Sequence, residues 1–282
     1  MKKKFLSVLL TLCMVLTLLP ATALAANVSS AQTLADALNA ITSGCCGVDT
    51  TDTTKVTMRQ DVTLTDTISI TSGTVILDLA GCTITGANGK NSYTYSEACG
   101  KTALAVTGGA LTILDGASGG KVIGGNGNGS ANTWRDGPVG GDGLFVNGGV
   151  VTISGGTLEG GVGGTQSMHT GGRGGYGIFV QSGMVSVSGS TFTGGAGGGG
   201  SSSGAQGSAV VINGGSVSGN LSGTPTNGSG TEVQLYTLTV NRADGSALAD
   251  TAVTALTATD KLGYTYGMTD VKTDANGKLY VY

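Results

Sequence analysis

The chain holds 282 residues, 53 of them glycine, with only 11% charged and a formal net charge of −3. No basic stripe offers a footprint for nucleic acid or an anionic membrane. With 3 prolines and no three-residue glycine period the sequence is not collagen-like, and Val, Ile and Leu recur too regularly for a wholly disordered chain.

Residues 1–25 read as a secretory signal peptide. Lys2, Lys3 and Lys4 precede an apolar run over 5–19, and Ala23, Leu24 and Ala25 form an A-x-A cleavage site. The run is short for a membrane span and stops at Pro20, and no later stretch is apolar enough to cross a bilayer. Cleavage after Ala25 predicts a secreted or cell-surface chain. It would keep 11 of the 14 basic residues against 17 acidic ones.

Residues 26–54 read as an N-terminal cap. Leu34, Leu38 and Ile41 fall on one face of a helix over 30–41, which Ser29 or Ser30 can cap. A short helix before a repetitive strand region covers the open first repeat. The cysteines left after cleavage are Cys45, Cys46, Cys82 and Cys99. Neighbouring Cys45 and Cys46 are poor partners for each other, so disulfides to Cys82 and Cys99 and buried free thiols are both open readings. There is no CxxC and only 1 histidine, His169, so no zinc site and no metal is expected.

From Lys55 the pattern becomes short runs rich in Thr, Val and Ile, at 56–58, 62–64, 67–70, 75–79 and 82–85, which predict strands. The phrase Val-Ile-Leu-Asp-Leu-Ala-Gly-Cys-Thr-Ile-Thr-Gly at 75–86 resembles the aliphatic-Asp-Leu-x-Gly-x-Thr-Ile-x-Gly phrase of right-handed parallel β-helix proteins, the pectate-lyase-like superfamily. With the helix and the repeats below, that resemblance covers about residues 30–222. It implies an all-β right-handed parallel β-helix solenoid with a short N-terminal capping helix, spanning 55–223.

A glycine-punctuated motif recurs within this region. Leu-Ala-Val-Thr-Gly-Gly-Ala-Leu-Thr-Ile at 104–113 is answered by Leu-Phe-Val-Asn-Gly-Gly-Val-Val-Thr-Ile at 144–153 and Ile-Phe-Val-Gln-Ser-Gly-Met-Val-Ser-Val at 178–187, with a worn copy from Val210. Self-similarity at this period predicts stacked repeats rather than one closed core. Alternation along strands puts Leu111, Ile113, Val151, Ile153, Val185 and Val187 inward and Thr112, Thr152 and Ser186 outward. A third short strand would carry Val122, Leu158 and Phe192 inward. With Leu104, Leu144 and Ile178 inward, Phe145 and Phe179 stack on the exterior as a docking ladder. Cover by a loop, or the opposite strand phase, is the other reading. Glycine-rich inserts at 116–143, 160–175 and 194–207 emerge at one point of each repeat, either as mobile loops or as extended strands packed beside the rod.

Residues 224–230 read as a linker. Over 231–282 the sequence predicts strands around the Asp244-Gly245 turn and again around Asn276-Gly277. This resembles the start of a bacterial collagen-adhesin B-type or carboxypeptidase-regulatory-type domain and implies an incomplete β-sandwich. About 50 residues is short for such a domain of about 100. A wall-anchoring segment would then lie beyond Tyr282. The isopeptide bond of some such domains is not expected, because Asn241 and Arg242 stand where its lysine would be sought.

The repeats carry few ionisable groups. Between Gly143 and Gly230 the acidic residue is Glu159 and the residue with a fixed positive charge is Arg173, with His169 in glycine-rich surroundings and no carboxylate nearby in sequence. Asp115, Asp136 and Asp142, with Arg135 and Trp134, form the one acidic constellation. No catalytic residue and no cofactor is expected. The reading is an exported bacterial surface protein, adhesive or a spacer, whose flank meets host or environmental glycans or surface proteins. Trp134, Tyr93, Tyr95, Phe145 and Phe179 are its candidate contacts. The alternatives are a β-helix polysaccharide lyase or glycoside hydrolase using the three aspartates, or a carbohydrate-binding module of a larger enzyme.

Overall fold

The computed structural model of the chain describes residues 26–129, 135–219, 221, 224–233, 236–249, 251–259 and 265–282; the signal segment lies outside them. Helix α1 (Ala31–Ile41) begins at Ser30, whose side chain accepts the Thr33 amide while the Thr33 hydroxyl accepts the Ser30 amide. This reciprocal cap fixes the start of the helix. Ala31, Leu34, Ala35 and Leu38 are buried against the first strands.

Most of the described strands are parallel and form three rows; the others pair at the ends of the sheet or in two separate two-stranded sheets. In the first, Ala26–Val28, Ile68–Ile70, Leu104–Val106, the start of Leu144–Ile153, the start of Ile178–Val187 and Val210–Ile212 pair in succession. In the second, Lys55–Met58, Thr74–Asp78, Ala110–Leu114, the ends of the two long strands and Ser216–Gly219 pair in the same way. The third row is a five-stranded sheet through Val62–Thr63, Thr83–Thr85, Lys121–Ile123, Thr157–Glu159 and Thr191–Thr193.

Register puts like on like. Val106, Val146, Val180 and Ile212 are successive partners, as are Ile113, Ile153 and Val187, and Val62, Ile84, Val122, Leu158 and Phe192. None of these side chains is more than 6% exposed. Each fully buried Val, Leu or Ile contributes about 1.5–3 kcal/mol. Thr112, Thr152 and Ser186 form the half-buried outward ladder expected of them. The corner between the first and second rows turns through left-handed backbone, with φ +68° at Gly109, +71° at Gly149, +98° at Gly183 and +79° at Gly215. That conformation is the reason a glycine stands there in every copy of the motif.

Over their described residues the glycine-rich inserts take the second of the two expected forms, extended and packed, although most of their length is not β-strand. They are extended segments joined by backbone hydrogen bonds. The amides of Gly171, Gly174 and Gly177 donate to Ser202, Ala205 and Ser208 of the next repeat, at 2.9, 3.0 and 3.2 Å. Those of Gly172 and Gly175 donate to Gly164 and Gly161 of the antiparallel partner, both at 2.8 Å. Amides three residues apart thus point the same way, the geometry of a polyproline II helix with three residues per turn and no internal hydrogen bonds.

Two amides in three meet neighbouring backbone, and the third faces outward. The local sequence follows that rule as Gly-Gly-x: Gly160-Gly161-Val162-Gly163-Gly164-Thr165 runs out and Gly171-Gly172-Arg173-Gly174-Gly175-Tyr176 runs back. A Cβ on Gly161 would overlap the carbonyl of Gly125, and one on Gly175 the carbonyl of Gly141. The outward amides are capped by side chains from the preceding repeat. Asn88 accepts Asn126, Asn126 accepts Val162 and Asp142 accepts Tyr176, each at 2.8 Å.

The C-terminal stretch departs from expectation in its pairing. Tyr236–Thr239 does not pair across the Asp244-Gly245 turn, which closes only the small Asn241–Ala247 bridge. It lies antiparallel to Lys278–Val281, and Ala252–Thr259 lies antiparallel to Thr265–Lys272. Val281 pairs with Ser218 and the Tyr282 amide donates to the Val217 carbonyl, so the last strand closes the edge of the parallel sheet. Residues 224–230, read as a linker, are also engaged: Thr226 bridges Val211 and Glu232. A sheet edge with unpaired amides recruits whatever chain can bond to it, and both departures serve that need.

Candidate functional site

Two surfaces carry the candidate residues. The first is where the glycine segments turn back. Helix α2 (Tyr95–Ala98) brings Tyr95 to the tip of the first insert, and its phenol donates to the Gly137 carbonyl at 3.2 Å. The strand Gln166–Thr170, paired with Gly200–Ser202, brings His169 to the same end. Tyr95, Arg135, Asp136 and His169 line an open recess of about 490 Å³. Arg135 and Asp136 are exposed and His169 is half-buried. Burial, with smaller pushes from Cys99 and Asp136, holds the Tyr95 phenol above its ordinary range against the pull of Arg173 and Arg135. The phenol therefore stays protonated and keeps its donor role.

The second surface is the outer side of the first row. Phe145 and Phe179 stack there as neighbours, with ring centroids 5.3 Å apart at 52°. They are half-buried rather than an open ladder. Tyr176, at a third position of the returning glycine segment, meets Phe179 edge-on at 5.6 Å and 71°. The Arg173 guanidinium lies 4.0 Å over the Tyr176 ring and donates from Nη1 to the Gly174 carbonyl at 2.7 Å. Such contacts favour offset rings and a cation over a π face. The two alternatives for these phenylalanines thus combine: the exterior phase holds, and the insert covers part of the ladder.

The two surfaces share one face. The Gly137 amide donates to Thr170 and the Gly140 amide to Arg173, which puts Arg173 one turn, about 9 Å, along the returning segment from Gly137. Tyr176 follows one turn later. Arg173, Tyr176 and His169 had no assigned role in the sequence reading, and Arg135 stood only beside the acidic constellation; the Gly-Gly-x spacing was the signal that marks Arg173 and Tyr176 as outward-facing. Tyr93 is 80% exposed near Tyr95, and Trp134 lies outside the described residues.

Asp115, Asp136 and Asp142 do not come together. Asp115 sits at the corner between the second and third rows, where its carboxylate accepts the Gly81 and Gly120 amides at 2.8 and 2.7 Å. Asp142 is half-buried just before the first row and holds the Tyr176 amide. Burial pushes it up to about 6, against the pull of that amide and of Arg173. Asp136 alone reaches the recess. The physical reason for the separation is that the repeat assigns each aspartate to a different corner, where each but Asp136 satisfies backbone amides. Among the described residues no three His, Cys, Asp or Glu side chains converge on a point that could hold a metal ion.

Of the two open readings of the cysteines, the structure has free thiols at Cys45, Cys46, Cys82 and Cys99, the first two buried and the last two half-buried. Cys45 and Cys46 are buried under α1, where their thiols donate to Asn39 Oδ1 at 3.6 Å and to the Ala35 carbonyl at 3.7 Å. Burial, then the neighbouring Cys45, pushes Cys46 up to about 12. A protonated thiol is a poor nucleophile for exchange.

Among the described residues no helix is long and apolar enough to cross a membrane. No family model, no curated protein and no solved structure matches the chain.

Proposed function

We propose that the chain is a right-handed parallel β-helix, exported and displayed at a bacterial surface, that acts without catalysis as a rod with an adhesive flank. The flank meets glycans or surface proteins through the tip recess and the Phe145–Phe179–Tyr176–Arg173 face. The observation that carries this reading is the unbroken like-on-like register of all three rows, with Val146 on Val180, beside carboxylates committed to backbone amides. Repeats that stack in this way build length and a long lateral surface rather than one deep cleft.

A polysaccharide lyase or hydrolase is the competing reading, and Asp142 is what favours it. A carboxyl held near pH 6 suits a general acid. Hydrolysis asks for a second carboxylate across a cleft. Asp142 faces Tyr176 and Arg173 instead, with Oδ1 already accepting an amide. A carbohydrate-binding module of a larger enzyme would use the same flank.

The test pairs turnover with binding. The purified chain, incubated with a panel of neutral and uronate polysaccharides, is expected to release no product while retaining ligands on a glycan array. Turnover that disappears in Asp142→Asn would establish the enzyme reading. N-terminal sequencing of the form found outside the cell is expected to begin at Ala26.

A further inference from the structure

We propose that the recess formed by Tyr95, Arg135, Asp136 and His169 is a binding site for a single acidic sugar at the end of a glycan chain. The inference rests on the adhesive reading above and gives its ligand a chemical class.

The argument starts from where these groups stand. Among the described residues the recess lies where the glycine segments turn back, at the end away from the strand rows. Its volume of about 490 Å³ suits one or two sugar rings. Two of its walls come from different inserts and one from helix α2, so three repeats build it.

The chemistry of the walls is mixed in a specific way. Among the described residues the one ion pair is Lys55–Asp78, far from the tip, so Arg135 and Asp136 are not spent on each other. A guanidinium presents a planar fork that matches a carboxylate in bidentate geometry. The Asp136 carboxylate accepts from sugar hydroxyls, and the His169 imidazole can donate to or accept from them. The Tyr95 ring, fixed by its bond to the Gly137 carbonyl, supplies an apolar wall for the C–H face of a ring. A phosphate is a worse occupant, since its second charge would meet Asp136. A neutral sugar would leave Arg135 unused. Arg173 lies one turn, about 9 Å, along the same face and adds a second positive charge that draws an anionic ligand inward.

A sugar carboxylate occurs in sialic acids and in uronic acids, and the experiment separates the two. The purified full chain is titrated by calorimetry with 3′-sialyllactose, with methyl β-glucuronide and with lactose. Saturable binding of at least one acid, at least about tenfold tighter than lactose and weakening with added salt, is expected; the acid that binds identifies the source. Arg135→Ala is expected to lower that affinity about tenfold or more, and Arg135→Lys to recover only part of it. Arg135 is exposed, so both variants should keep the parent's circular dichroism and melting temperature. Equal affinity for lactose, unchanged affinity in Arg135→Ala, displacement by an equal concentration of inorganic phosphate, or no binding of either acid at millimolar concentration would overturn the proposal. Failure here leaves the export and no-turnover results standing. Cleavage of either acidic probe would instead overturn the non-catalytic reading and leave the site in place.

Discussion

Each repeat has two halves that stack with the same period by opposite means. In the strand half, side chains do the packing: Ile113, Ile153 and Val187 fill one interior column and are at most 4% exposed. In the glycine half, backbone does it. Gly125, Gly141, Gly161, Gly175, Gly195 and Gly207 form one chain of amide-to-carbonyl bonds, each 2.8–2.9 Å long, that runs across the inserts. The strand half tolerates any apolar side chain of about the right volume. In the glycine half two positions in three are held mostly by glycine, with Pro138 and Asn128 as exceptions in the first insert, and the third position takes varied side chains. Two regions equally ordered in space therefore place opposite demands on sequence.

The sharpest way to break this comparison is Gly161→Ala. Its Cβ would overlap the Gly125 carbonyl, and bonded neighbours on both sides leave no room for a shift. Overpacking against backbone in this lattice should cost at least ~3 kcal/mol, near the upper end of small-to-large changes. Urea unfolding would measure it, with Val162→Thr at the adjacent outward position changing stability by less than about 0.5 kcal/mol. If the two variants unfold alike, the insert is not a backbone lattice.

Ile153→Ala tests the other half. It leaves a cavity in the column between Ile113 and Val187 and should cost about 2–5 kcal/mol, against about 0.5–1.5 kcal/mol for Ile153→Val. A graded response to side-chain volume here, beside an abrupt one at Gly161, is the expected signature.

Two carboxylates, one in each half, sharpen the contrast through pH. Asp78 lies 2.9 Å from Lys55 Nζ and accepts the Ala80 and Gly116 amides at 3.1 and 2.9 Å. Burial opposes its ionised form, but Lys55 and those amides prevail and hold it below the usual carboxylate range. Its contribution is thus present above the ordinary carboxylate value and is lost as pH falls through the lower folded one. Asp78→Ala should cost about 2 kcal/mol at pH 7, less under acid, as read from urea midpoints across pH.

Asp142 has the opposite sign. Its folded value of about 6 lies above the ordinary carboxylate value, so the folded chain binds the extra proton and stability falls as pH rises between them. Asp142→Asn keeps an acceptor for the Tyr176 amide and removes the buried charge. It should stabilise the chain by roughly 1–2 kcal/mol at pH 8 and by little at pH 4. A destabilised variant at both pH values would show that the charge is held by groups beyond Arg173 and the amide.

Much of the strand half was legible beforehand because period-2 alternation and a repeated motif act locally. Val122, Leu158 and Phe192 could be assigned to one column from spacing alone, and the cap narrowed to Ser29 or Ser30 from the apolar face that follows, the structure choosing Ser30. The glycine half was half-legible. Its position in the repeat was plain, but a chain-wide test for a three-residue period hid the short Gly-Gly-x runs that occur only inside the inserts. At the candidate site Phe145 and Phe179 were found through alternation. Arg135 was noted beside Asp136, but its meeting with Tyr95 and His169 was not, because nothing local marks residues that meet only when two inserts fold back side by side.

By itself the sequence determined the repeat, where its glycine-rich inserts emerge and the inward face of the second and third strands of each copy, because each follows from local spacing and alternation. Only the tertiary structure decided which strand the C-terminal segment joins, that Asp115, Asp136 and Asp142 stand apart, that the thiols stay unpaired and that Tyr95 and His169 share a recess. Those outcomes depend on which distant backbone amides and carbonyls find one another, and a buried amide accepts any well-placed partner regardless of its distance along the chain.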